Sequence, residues 1–128
     1  MVVEVPVGTK LVVEVGLVNN LDERLRFKMA VDLIDQETGT VVGEEWHKET
    51  PAMELPGKRE TTQVSHVGVT FDKYIPLNWV DKKFGLLITV YDPEKPARLY
   101  AQETVKDAFV VRAVGKEVTI KEVRISAI

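Results

Sequence analysis

The chain has 128 residues, no cysteine, and 17 basic against 20 acidic side chains, giving a net charge of −3. This is the length of one domain with material for a core, and the missing thiol excludes disulfides and thiolate metal sites. The balanced charge offers no basic stripe for nucleic acid, and no apolar run approaches the about 18–20 residues of a membrane span.

In chain order, MVVEVPVGTK lacks the basic start and apolar block of a signal peptide. Its Val2–Val5 run meets Pro6, so it belongs on a sheet edge or ends at that residue, because proline cannot donate to a ladder. From Leu11 to Leu17 apolar residues occupy both faces, which predicts a strand covered on both sides. Asn19-Asn20 closes it with side chains suited to turns. The next segment, LRFKMAVDLID, is the organising strand. Leu25, Phe27, Met29, Val31 and Leu33 point one way, and Arg26, Lys28, Ala30 and Asp32 the other. A hairpin loop, Asp35 to Gly39, leads to a more polar partner strand from Thr40 to His47.

KETPAMELPGKR reads as a loop or crossover anchored by Met53 and Leu55. Glu60 to Phe71 is a strand with Val67, Val69 and Phe71 inward and His66, Gly68 and Thr70 outward. Asp72 to Lys83 breaks the pattern, with one short helical turn near residues 76–83 whose Leu77 and Trp79 plug one end. FGLLITVY, apolar on both faces, is the candidate central strand. Leu99 to Val105 and Ala108 to Val114 follow, separated by a kink at Lys106-Asp107, and Gly115 breaks again. The tail repeats a pentad, KEVTI then KEVRI, and an odd period moves the apolar set from one strand face to the other.

These elements predict an all-β fold: an antiparallel, immunoglobulin-like β-sandwich of about 8–9 strands. The expected domain spans residues 1–128, with a core over about 2–114 and residues 115–128 as a terminal strand. That strand completes its own sheet, exchanges with another copy, or leads to a further domain.

Four stretches carry a resemblance. They are Val7-Gly8-Thr9-Lys10, the strand end Gly16-Leu17-Val18-Asn19, the turn Leu55-Pro56-Gly57-Lys58, and the late strand Phe84 to Asp92. In that order they resemble immunoglobulin-like modules of the CARDB or fibronectin type III sort, across residues 2–114. The Asp72 to Lys83 segment is long for that pattern, and the tail after Gly115 lies outside it. The resemblance implies an adhesive, spacing or assembly unit without catalytic residues.

Among chemistry-bearing residues, Glu45, His47 and Glu49 would share one strand face, and His66 opposite His47 would give a divalent-metal set. The plainer expectation for these residues is a charged strand edge that blocks pairing with other chains. Ser65 and His66 are strand neighbours that point apart, so they form no nucleophile pair. Trp46, Tyr74, Trp79, Tyr91 and Tyr100 are candidates for a sugar-binding platform, set against their use as core and end plugs, with the Tyr91 hydroxyl tied to backbone. Val118, Ile120, Val123 and Ile125 are the candidate interaction residues.

The expected function is a non-enzymatic structural, assembly or protein-interaction module of a surface protein, filament or virion. Its partner would be another protein or another copy of itself, and no cofactor is expected. The alternatives are a carbohydrate- or ligand-binding accessory module, and a small metal-dependent enzyme using His47 and His66. Abundant Val, Glu and Lys, with only three Asn and three Gln, fit either a thermophilic source or the valine demand of a β-rich fold alone.

Overall fold

The computed structural model describes residues 2–113 and 117–127. Among these are nine strands and two single-turn 3-10 helices. The strands are β1 (Val3–Pro6), β2 (Lys10–Leu17), β3 (Leu25–Asp35), β4 (Thr40–Val41) and β5 (His47–Glu49). They continue with β6 (Met53–Leu55), β7 (Ser65–Tyr74), β8 (Lys83–Tyr91) and β9 (Leu99–Arg112).

β3 forms because its alternation gives one strongly apolar face, and Phe27, Met29, Val31 and Leu33 are each no more than 1 % exposed. It pairs antiparallel with β8 over most of its length, from Lys28 opposite Tyr91 to Asp35 opposite Phe84. Its other edge is covered piecewise by β6, β5 and β4. β8 lies at the middle of the sheet order β1-β9-β8-β3-β4, as a strand apolar on both faces should. β2 and β7 form a second, antiparallel sheet. Val67, Val69 and Phe71 of β7 point into the core, as their spacing predicts. The result is an all-β sandwich of two sheets around one apolar core.

One pairing departs from the antiparallel expectation: β1 runs parallel to the end of β9, Val3 opposite Phe109 through Pro6 opposite Arg112. β1 is an edge strand, which accommodates Pro6. The predicted strand from Thr40 to His47 is broken. Gly39 turns the chain with φ 73°, and Gly43 holds φ 147°, where a side chain would be strained. The chain then makes a 3-10 turn, Glu44–Trp46, that drives Trp46 into the core before β5 begins. The second 3-10 turn, Leu77–Trp79, falls inside the predicted segment. It buries Trp79 but leaves Leu77 75 % exposed, so only the tryptophan plugs the end.

Other boundaries shift. The crossover expected from Lys48 to Arg59 contains β6, and β7 starts at Ser65 rather than Glu60. The expected pair Leu99 to Val105 and Ala108 to Val114 is one strand as far as Arg112. The kink survives as an irregularity at Asp107, whose φ is 49° and whose N–H donates to Gln36 Oε1 at 2.9 Å. β2 is covered on one side only. Leu11 and Val13 are buried, whereas Val12 is 66 % exposed because nothing among the described residues packs on the outer face of the small sheet. Gly115 lies outside the described residues. Residues 117–127 form no strand.

Candidate functional site

The two ends of the sandwich differ. At one, five rings pack in a row: Phe71, Trp46, Trp79, Phe84 and Phe109, with successive centroids 5.8, 4.6, 4.4 and 5.3 Å apart. The two tryptophans arrive on the 3-10 turns, and the strand ends supply the phenylalanines. Such tilted and offset contacts suit the ring quadrupoles and leave little void.

The opposite end is open. A cleft of about 330 Å³ lies there, lined by Leu17, Leu25, Phe27, Val90, Tyr100 and Ala101 among others. A neighbouring depression of about 340 Å³ continues it between Val15 to Leu17 of β2 and Ala101 to Glu103 of β9, with Ile88 and Val90 as its floor. The two share Leu17, Val90 and Ala101, so they make one seam along the side of the sandwich. The seam is built by strand pairing. Among the described residues β2 pairs only with β7, and β1 covers β9 only from Phe109 to Arg112, so both strands bordering the seam present bare backbone edges there. On the other side the gap between sheets is bridged by Lys48–Asp72 at 3.1 Å and Lys73–Glu45 at 2.7 Å. At the mouth of the seam, buried Asn19 holds its turn. Its Nδ2 donates to the Glu23 carbonyl at 2.7 Å, and its Oδ1 accepts the Leu21 N–H at 2.9 Å.

Val118, Ile120, Val123 and Ile125 are 76–92 % exposed, the largest outward display of apolar side chains among the described residues. Water is a poor solvent for four branched aliphatic side chains so close in sequence.

The metal-ligand candidates do not converge. His47 sits on β5, where Nδ1 lies 2.7 Å from Asp32 Oδ1 and Nε2 lies 3.8 Å from Glu49 Oε2. Glu45 is on the 3-10 turn and pairs with Lys73. His66 lies on β7 in the other sheet, opposite Gly16. β5 meets β7 at Asp72, six residues from His66 and hence about 20 Å along the strand. No group of three or more potential ligands among the described residues is placed to hold a metal ion.

The aromatic candidates do not form a platform. Trp46 and Trp79 are core residues. Tyr74 is exposed under the Lys10 ammonium, 5.4 Å from its centroid. Tyr100 packs against the core from the seam, with the Arg98 guanidinium 5.5 Å from its ring. Tyr91 lies in a shallow depression of about 430 Å³ on the outer face of the large sheet, with His47 and Glu49. Its hydroxyl donates to Glu49 Oε1, a side chain rather than the expected backbone. Burial first, and the Glu49 carboxylate second, push the Tyr91 phenol up to about 12.

No helix among the described residues is long and apolar enough to cross a membrane. No protein-family model, no curated protein and no solved structure matches this chain.

Proposed function

We propose that the chain is a non-enzymatic, immunoglobulin-like structural module that assembles with other protein through its C-terminal tail. The observation carrying this reading is the exposure of Val118, Ile120, Val123 and Ile125, none of which belongs to the apolar core. The strand connectivity supports the immunoglobulin-like part. The chain passes from the small sheet to the large between β2 and β3 and again between β7 and β8, as in a Greek-key sandwich. Apolar residues of high β-propensity in an extended segment bind by adding a strand to a sheet edge, with backbone hydrogen bonds for affinity and alternate side chains for specificity.

The test is the absolute mass in solution of the full chain and of a chain lacking residues 116–128, measured by light scattering across a wide dilution series. The expected result is an oligomer that collapses to monomer without the tail, with an unchanged melting temperature. A full chain that stays monomeric at every concentration would overturn the reading.

A further inference from the structure

We infer that the seam between β2 and β9 is the acceptor for the tail of a second copy of this chain, which closes the open side as a strand donated across the interface. The inference rests on the assembly reading above and adds the site at which the tail docks.

Three observations meet here. The first is the backbone. Among the described residues β2 along Lys10–Leu17 and β9 between Leu99 and Lys106 present backbone edges without a strand partner to the same seam. The segment from Val118 to Ile125 has eight residues and, extended, reaches about 26 Å, enough to pair with one edge and cross the about 10 Å between facing sheets.

The second is parity. Val118 and Ile120 lie on one strand face, and Val123 and Ile125, each five positions further on, lie on the other. In a strand confined to one sheet, one of these pairs would face water. A strand that starts on the edge of one sheet and crosses to the edge of the facing sheet needs the reverse. Inward from β2 means toward the large sheet, whereas inward from β9 means toward the small one. The odd step in the tail therefore turns both pairs inward across this seam. The floor that would receive them is apolar: Val15, Leu17, Ile88 and Val90.

The third is charge. Glu103 lines the seam and Glu14 stands on β2, and neither is in an ion pair among the described residues. The segment brings Lys121 and Arg124, of which Arg124 meets only Glu122, at 3.4 Å and largely exposed.

Donation from one copy to the seam of the next is a heterologous, head-to-tail contact, which propagates into a filament or closes into a ring.

The experiment uses full chains and two complementary variants. Ala101→Arg places a long cation in the seam at an exposed position, and Glu103→Lys serves in its place if Ala101→Arg fails to fold by circular dichroism. Ile120→Asp/Val123→Asp spoils the tail. Each variant alone is expected to associate about thirtyfold or more weakly than the native chain, the loss typical of a disrupted hot-spot contact. Mixed, they are expected to form a one-to-one pair, because the seam variant still donates a tail and the tail variant still offers a seam. If the seam variant assembles as tightly as the native chain while the tail variant does not, the acceptor is elsewhere. That result overturns this inference and leaves the assembly reading standing. A native chain that is monomeric throughout, with its tail in its own seam or the seam serving an unrelated protein, overturns both.

Discussion

The ring-packed end and the open seam are made by the same two sheets, yet one is finished within the chain and the other is not. At the packed end two short turns bring Trp46 and Trp79 between the sheets, and β1 pairs with the last residues of β9. At the seam no turn descends, and β2 and the first half of β9 keep bare edges beside Leu17, Val90 and Tyr100. The difference teaches that a sandwich core can reach near-complete burial of Phe27, Met29 and Val31 while one flank keeps bare strand edges among the described residues. Tight packing and open backbone edges thus fall in different parts of the molecule.

The sharpest way to break that division is to truncate a ring at each end. Phe84→Ala removes a side chain that is 1 % exposed and touches both Trp79 and Phe109. The expected loss is about 3–5 kcal/mol in denaturant unfolding. Tyr100→Ala at the half-buried seam is expected to cost about 1–2 kcal/mol, since less apolar surface is lost. Equal costs would mean that the seam is as tightly packed as the ring cluster.

A middle-sized effect is expected between the ends, at Thr50, which lies between β5 and β6 and is buried. Its Oγ1 accepts the Met29 N–H at 3.0 Å, where the piecewise edge of β3 would otherwise leave a donor unpaired. Thr50→Val keeps the shape and removes the acceptor, at about 1–3 kcal/mol. An unchanged unfolding midpoint would show that β3 does not depend on this bond.

The smallest effect is alkaline and belongs to the outer face. Because the folded Tyr91 phenol is raised from 10.0 to about 12, it adds stability that is fully present below pH 10 and lost as pH rises toward 12. Tyr91→Phe is expected to remove this part of the alkaline slope, measured as melting temperature against pH. A native slope identical to the variant's would show that the hydroxyl has no raised titration.

Much of the frame is legible along the chain because it depends on neighbours in sequence. The two-residue period of β3, the apolar run of β8 and the inward set Val67, Val69 and Phe71 each declare a strand and its buried face. The flex at Asp107 and the turn at Gly39 are likewise local. Trp46 was harder to read. In an unbroken strand it would share a face with Glu44, and only the turn after Gly43 rotates it between the sheets. The metal candidates failed for a related reason, since two histidines far apart in sequence meet only if their strands are neighbours, and β5 and β7 meet at another residue pair. Leu77 follows its turn outward for want of a neighbour to cover it.

By itself the sequence determined that this is an all-β chain, which residues of its main strands face inward, and that its tail is an apolar, β-prone segment whose odd repeat suits no single sheet. These properties follow from side-chain alternation and composition, which act over a few residues. Only the tertiary structure decided that β1 runs parallel to β9, that the tryptophans seal one end, and that β2 and β9 face one apolar seam without pairing with each other. Those outcomes depend on which strands, distant along the chain, share a hydrogen-bonded edge, and no local pattern carries that information.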